Sequence, residues 1–487
     1  MQYTYPPPNS TDPFTTAEGE KFKEKSKYND IWAAILFALV VVAFGICAFF
    51  GVDTAREELE NNNDASTRTI PVSNTDLAGL VLVAIGGGFV LSIIYFMLMK
   101  KFAGTMIKIQ AVLFLLAMAA YCAFFFLTGS FIGGIIIAVI TIIYAVFLYS
   151  WRKRIPFAKV LLKNVLSVIT QYPSTIFAGI IGTLLETAVG ALFLFTAFGW
   201  ITRFTDSETS VVDARGRRTS SYNSSLYGVF VFLLFAFYWM TQVIKTTVHV
   251  TVSGLFASYY FQSQPTGDGK HKITISNPTA KAAKRALTTS FGSVCYGSLI
   301  VAILQTIRAL IRMAANQAAA DGNLIGYFCA MCAGCILGLI ENLVRYFNVY
   351  AYTQVAIYGK DYCSAAKATW ALVKRRGVDA IINDNLIGIV ILMGSVFIGL
   401  ICGGISYGYY VASSIPKDNA VIPIVIVVLS ALIGAAEFAI LGEVIESGVA
   451  TTFVCLCEDP AVLRESKPEL YDKIVQVYPD AKLEAYY

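Results

Sequence analysis

Apolar residues in this chain fall into unbroken runs, not into the short periodic patterns of half-buried strands and surface helices. A hydrocarbon core about 30 Å thick is crossed by roughly 20 residues of helix. Ten runs reach that length: Ile31–Gly51, Leu77–Met99, Thr105–Leu127, Gly129–Ser150, Thr175–Phe198, Leu226–Lys245, Thr288–Ala309, Ile325–Phe347, Ile381–Cys402 and Val421–Leu441. They predict an all-α polytopic membrane protein of about ten transmembrane helices. Only Thr128 and its neighbouring glycines separate the third run from the fourth, the weakest boundary of the set. Two further stretches do keep a helical period. From Pro156 to Thr170, the apolar residues Val160, Leu161, Val165, Leu166 and Val168 stand opposite Lys159, Lys163 and Asn164. Ser364 to Val373 repeats a weaker form around Lys367 and Trp370. Each is expected to be a helix in the cytosolic interface of the membrane that leads into the next span. A short cytosolic helix without membrane contact is the alternative.

Composition agrees. Apolar residues make up 56% of the chain and charged ones 14%, against roughly 25% charged in soluble domains, and the mean hydropathy is +0.64. A soluble chain has too little core for that much apolar surface, so the lipid bilayer is the expected surrounding. The net charge of +5 is small. No basic run is interleaved with aromatics, so nucleic acid is not an expected partner. The placement of Lys and Arg gives the orientation. With the N-terminus inside, inner segments hold 25 of the 37 basic residues and outer loops 7. The others, Lys108, Lys245, Arg308, Arg312 and Arg345, lie at or near membrane depth. Both termini are therefore predicted to be cytosolic. Residues 1–30 are expected to form a disordered cytosolic segment, 31–457 a ten-helix transmembrane domain and 458–487 a cytosolic tail. The first run is too long for a signal core and has no small-residue cleavage site, so it should remain as an anchor. Asn223-Ser224-Ser225, in an outer loop, is a candidate glycosylation site, and Asn9 is expected to be cytosolic and unmodified.

Ionisable groups within a bilayer are costly, and each is a functional candidate. Glu186 lies near the middle of the fifth run between Gly182 and Gly190. It either binds substrate or a proton, or is a protonated or paired carboxylate of the bundle. Glu341, Asn342 and Arg345 form a polar cluster in the eighth run, where the i,i+4 spacing lets Glu341 and Arg345 pair with each other. Glu437 sits among small residues in the tenth, and Lys245 and His249 are expected to snorkel towards inner headgroups. Tyr238, Trp239, Phe291 and Tyr296 fall at mid-depth, where aromatic faces can hold a quaternary ammonium. Facing lipid is the alternative for any one of them. Cys329, Cys332 and Cys335 have metal-like spacing but no partnering His, and read as small residues packing a membrane helix. No cofactor is expected. There is no nucleophile elbow, no phosphate loop and no metal box, which argues against an enzyme and against a nucleotide-driven pump.

Two stretches, Ser290-Phe-Gly-Ser-Val-Cys-Tyr-Gly-Ser through Gln305 to Arg308, and Asn348-Val-Tyr-Ala-Tyr-Thr-Gln through Lys360 to Cys363, resemble the choline transporter-like solute carriers. The Arg154-Ile-Pro-Phe-Ala158 and Phe453-Val-Cys-Leu-Cys-Glu-Asp459 segments are similar to that family too. The short first outer loop and Pro-rich N-terminus look like its fungal, "pH nine-sensitive" branch, since animal members have a long Cys-rich domain in that loop. The resemblance implies ten helices, both termini inside, a plasma-membrane location and transport of choline or a related small cationic amine. The alternatives are a carrier of another solute and a non-transporting scaffold or lipid-handling protein. Residue by residue, the physical candidates for substrate binding are Glu186, Tyr238, Trp239, Tyr296, Glu341 and Asn342.

Overall fold

The computed structural model describes residues 27–63, 74–151, 155–205, 210–212, 218–220, 224–266, 270–376, 386–413 and 421–477. Residues 1–26 of the N-terminal segment, Asn223, the first five positions of the ninth run and residues 478–487 of the tail lie outside the described residues. Fourteen helices are described: α1 Ile31–Asn63, α2 Asn74–Leu127, α3 Phe131–Trp151, α4 Ile155–Gln171, α5 Ser174–Thr205, α6 Ser224–Gln262, α7 Pro278–Leu287, α8 Phe291–Ala320, α9 Leu324–Tyr358, α10 Tyr362–Arg376, α11 Leu386–Ala412, α12 Val421–Glu458, α13 Pro460–Ser466 and α14 Pro468–Val477. The fold is all-α and polytopic. Two small antiparallel hairpins, Ser210–Val212 with Arg218–Ser220 and Ser263–Thr266 with Lys270–Ile273, interrupt it at loops.

Eight of the described helices are long and apolar enough to cross a membrane. One of them, α2, holds two of the predicted spans. The boundary expected between them at Lys100 and Lys101 is a kink at Phe102, which leaves helical geometry at φ −122°, ψ 31° and separates two helices. Divided there, and with the apolar α3 added, the helices account for all ten runs. Both amphipathic stretches are helices, α4 and α10. Leu161, Leu162, Val165, Leu166 and Ile169 of α4 are fully buried, because α2, α11, α12 and α14 cover that face. Trp370 of α10 is 65% exposed.

The chain divides into two compact units, residues 1–67, 180–257 and 275–371 in the first and 68–179, 258–274 and 372–487 in the second. In the second unit, α11 and α12 meet through small residues. A Cβ on Gly399 would stand 2.5 Å from the carbonyl oxygen of Ala431, and Gly434 lies against the Cys402 side chain. The Glu437 carboxylate of α12 fills the space that Gly88 of α2 leaves open, and its Oε2 is buried without a hydrogen-bond partner among the described residues.

The first unit is held the same way. Gly51 of α1 abuts Gly199 of α5, and the Trp200 indole N–H donates to the carbonyl of Cys47 at 2.9 Å. At the start of α1 the chain is tied down by polar contacts. Asn29 donates its side-chain amide to the Gly359 carbonyl at 2.6 Å. Asp30 accepts from the Ser293 hydroxyl at 2.7 Å and from the Tyr362 backbone N–H at 2.9 Å. Gly292 permits this approach, since a side chain there would overlap the Asn29 and Asp30 carbonyls. At the other end of α8, Gly322 takes φ +70° and Asn323 caps α9 by accepting from the Gly326 N–H at 3.0 Å, which closes a tight α8–α9 hairpin.

The glycine contacts yield a contrast within one helix. A Cβ on Gly51 would lie 2.7 Å from the Thr196 carbonyl oxygen, whereas one on Gly45 meets nothing within 4 Å. Gly51→Ala is predicted to destabilise the detergent-solubilised protein by about 2 kcal/mol through overpacking, and Gly45→Ala to leave it unchanged or slightly more stable. Equal melting temperatures for the two variants would show that α1 and α5 do not depend on this contact.

Candidate functional site

Three helices of the first unit line an open cavity of about 420 Å³. Each presents one face to it. From α6 come Phe230, Leu234 and Tyr238, spaced i, i+4, i+8 along an apolar stripe with two aromatic rings. From α8 come Gln305, Arg308, Ala309, Arg312, Met313 and Asn316, a face on which four polar side chains recur at three- and four-residue steps. Glu341 of α9 completes the lining. The volume lies in the range of small-molecule sites, about 300–1,000 Å³.

Glu341 organises the charge. Its carboxylate is 5% exposed and each oxygen takes one guanidinium: Arg308 Nη1 donates to Oε2 and Arg345 Nη2 to Oε1, both at 2.9 Å. The i,i+4 pair with Arg345 follows from spacing within α9. The pair with Arg308 crosses from α8 and depends on Gly338, one turn before Glu341, where a Cβ would come within 3.0 Å of the Arg308 guanidinium. Arg312, one turn beyond Arg308 on the same cavity wall, has no ion-pair partner among the described residues. The local balance is thus three cations to one carboxylate. Gln305 Oε1, beside them, is buried without a hydrogen-bond partner among the described residues.

The six candidate residues all lie in the first unit but not in one place. Tyr238 and Glu341 meet at the cavity. Trp239, the next residue on α6, is fully buried away from it, with its indole N–H donating to the Cys295 carbonyl at 3.1 Å and its ring against Phe37 at 5.3 Å. Tyr296 joins a second aromatic group, 5.0 Å from Trp32 and 5.2 Å from Tyr362, ring centre to ring centre. Asn342 is exposed on α9. Glu186 is half-buried on the face of α5 that also holds Gly182 and Gly190, and those glycines meet α6 at Val248 and Phe237.

The second aromatic group lies beside the Asp30 ties. Tyr362 there is buried, which together with the neighbouring Cys363 and Tyr296 pushes its hydroxyl up to about 12, and that hydroxyl donates to Asn348. Burial alone would raise the Asp361 carboxyl. It lies below its ordinary value because Ser364 donates to it across the first turn of α10. Two expectations need correction. His249 does not snorkel: it is buried, with Nε2 2.9 Å from the Val349 carbonyl, to which it donates. Cys329, Cys332 and Cys335 do not pack against a neighbouring helix but are exposed along α9.

Gln305, Arg308, Arg312 and Asn316 were absent from the sequence candidates. Their signal was present as a polar stripe at helical spacing within an otherwise apolar span.

The profile of the plasma-membrane choline transporter family matches residues 135–461. Among curated proteins, the chain is similar to Protein PNS1 of Mycosarcoma maydis, at 34% identity over 95% of this chain and 85% of that one. It is also similar to Protein PNS1 of Kluyveromyces lactis, at 34% identity over 95% and 83%. A CTL-like protein of Dictyostelium discoideum is 33% identical over 97% of this chain and 80% of its own length.

Because Glu341 is the shared counter-ion, its loss strands two cations and the loss of one arginine strands none. Glu341→Gln is predicted to cost about 2–3 kcal/mol. That is below the ~3–5 of a fully buried pair because both guanidinium groups are more than a third exposed. Arg308→Gln, which leaves the pair with Arg345, should cost about 1 kcal/mol. Thermal unfolding in detergent measures both, and equal losses would mean that the Arg345 pair contributes nothing and that Glu341 is not a shared counter-ion.

Proposed function

The chain belongs to the choline transporter-like family, and from that premise we propose that it is a carrier moving choline or a related small organic amine across the plasma membrane. The observation that supports this most directly is the α6–α8–α9 cavity, walled on one side by Phe230 and Tyr238. Aromatic faces hold an alkylated ammonium by cation–π attraction, which replaces its weak hydration at little desolvation cost. Tyr238 lies fourteen residues into α6, about 21 Å along the helix, which supports a position at membrane depth for this end of the cavity.

In this reading both termini are cytosolic, residues 31–457 form the transporter domain, and the flanking segments are cytosolic. The α8–α9 hairpin then faces outside and the Asn29–Asp30 ties lie at the inner end of α8. Passage requires that inner end to open, which means releasing the contacts of Asp30 to Ser293 and Tyr362. Glu341 positions Arg308 and Arg345 rather than meeting the amine, since two guanidinium groups already occupy its oxygens. Glu186 remains the candidate for a mobile charge, as a half-buried carboxylate within a spanning helix.

Radiolabelled choline uptake into proteoliposomes at two imposed potentials tests the carrier. Saturable uptake, faster at inside-negative potential, is expected. Tyr238→Ala should raise the half-saturating concentration about tenfold, as loss of one cation–π contact implies, and Tyr238→Phe should keep it. Glu186→Gln is expected to abolish uptake at unchanged surface expression. Absence of flux above empty liposomes for choline and for other small amines would overturn the reading.

A further inference from the structure

The lining of the cavity is poorly matched to a ligand that is only a cation. Of the charged groups on its wall, Arg308 and Arg312 are positive and Glu341 is negative, and Glu341 is already shared between Arg308 and Arg345. A bare ammonium entering here meets an uncompensated positive charge. Two arginines one turn apart on the same helix face also repel each other, by about 0.2–0.5 kcal/mol. That arrangement is relieved by an anion lying between them. Asn316, the next residue along the same stripe, adds an amide donor.

We propose that the Arg308–Arg312–Asn316 edge of this cavity is an anion subsite, and that the ligand is an amine that also carries a carboxylate or phosphate. The proposal rests on reading the cavity as the substrate site of an amine carrier. The two sides of the cavity divide the work. Phe230 and Tyr238 on α6 take the alkylated ammonium. The guanidinium of Arg312, which has no ion-pair partner among the described residues, takes the anionic group in the planar two-donor geometry that suits carboxylate and phosphate. Arg308 contributes the group not engaged with Glu341, and Glu341 in turn fixes its position. Arg312 is eight residues from the end of α8, about 12 Å along the helix from the α8–α9 turn.

Equilibrium binding to the purified full-length protein tests this apart from transport, with choline, glycine betaine and phosphocholine as probes. Glycine betaine or phosphocholine should bind at least tenfold more tightly than choline, and comparing the two identifies which anion the edge prefers. Arg312→Gln should weaken the preferred zwitterion about tenfold, the loss expected for one charge-assisted hydrogen bond, and should leave choline binding unchanged or tighter. Arg312→Lys, which keeps the charge, should restore part of the loss and shows that the effect is not one of folding. If choline binds as tightly as both zwitterions, or if Arg312→Gln binds all three as wild type does, the arginine merely extends towards headgroups and the proposal fails. Binding of glycine betaine without flux in proteoliposomes overturns the carrier reading and leaves the subsite standing. Flux of choline with no binding of either zwitterion does the reverse.

Discussion

Lipid neither donates nor accepts a hydrogen bond, and this one constraint shapes every element of the chain. Backbone groups must be satisfied within each segment, so the spans are continuous helices and the hairpins stay in loops. Many threonine hydroxyls follow the same rule. Those of Thr187, Thr196, Thr247, Thr251, Thr306 and Thr353 each donate to the carbonyl four residues earlier on their own helix. Indole N–H groups, which have no such local acceptor, reach a neighbouring helix: Trp200 to Cys47 and Trp239 to Cys295. Charges face the steepest version of the problem. Within the first unit, Glu341 answers it by gathering two guanidinium groups around one carboxylate.

The same solvent removes the usual reason for helices to associate, because lipid tails are as apolar as a leucine. Close van der Waals contact has to replace it, and close contact requires small residues. That explains why backbone meets backbone at Gly51 and Gly199 and again at Gly399 and Ala431. Glycine then does something beyond packing. At Gly338 the missing side chain makes room not for another backbone but for the Arg308 guanidinium, and at Gly88 for the Glu437 carboxylate. Sparse side-chain volume in a span therefore marks either a helix crossing or a seat for a charge. Only the partner distinguishes the two.

That ambiguity explains what could and could not be read before the structure. The ten spans were legible because a run of about 20 apolar residues has few alternatives. The boundary between the second and third spans was legible from Lys100 and Lys101; that it is a kink at Phe102 and not an extended loop was not, because two lysines reach an interface from either. The Glu341–Arg345 pair was legible because it is local. Its second arginine was not, since Arg308 lies 33 residues away and the contact depends on which faces of α8 and α9 meet. Tyr238 and Trp239 looked equivalent as adjacent mid-depth aromatics. About 100° of helical rotation separates them, and the packing of Phe37 and Cys295 decides that one lines the cavity and the other is core.

In the proposed reading of the cavity as an amine site, its division between an aromatic face on α6 and a polar face on α8 has a consequence for specificity. The α6 stripe interacts with an ammonium through ring faces, which tolerate many alkyl patterns and demand little geometry. The α8 stripe interacts through arginine and amide groups, which demand a charge of one sign in one place. Discrimination among amines of similar bulk is then set mostly by α8, because a misplaced or missing charge there costs far more than a misplaced methyl group at the rings. The positions doing so, Arg312 and Asn316, lie outside the Glu341 ion cluster. They can be exchanged without stranding a buried charge, whereas Arg308 and Glu341 are bound to the stability of the α8–α9 hairpin. A fold that keeps the Glu341 cluster and varies the outer part of the α8 stripe can therefore change which amine it accepts while its helices stay where they are.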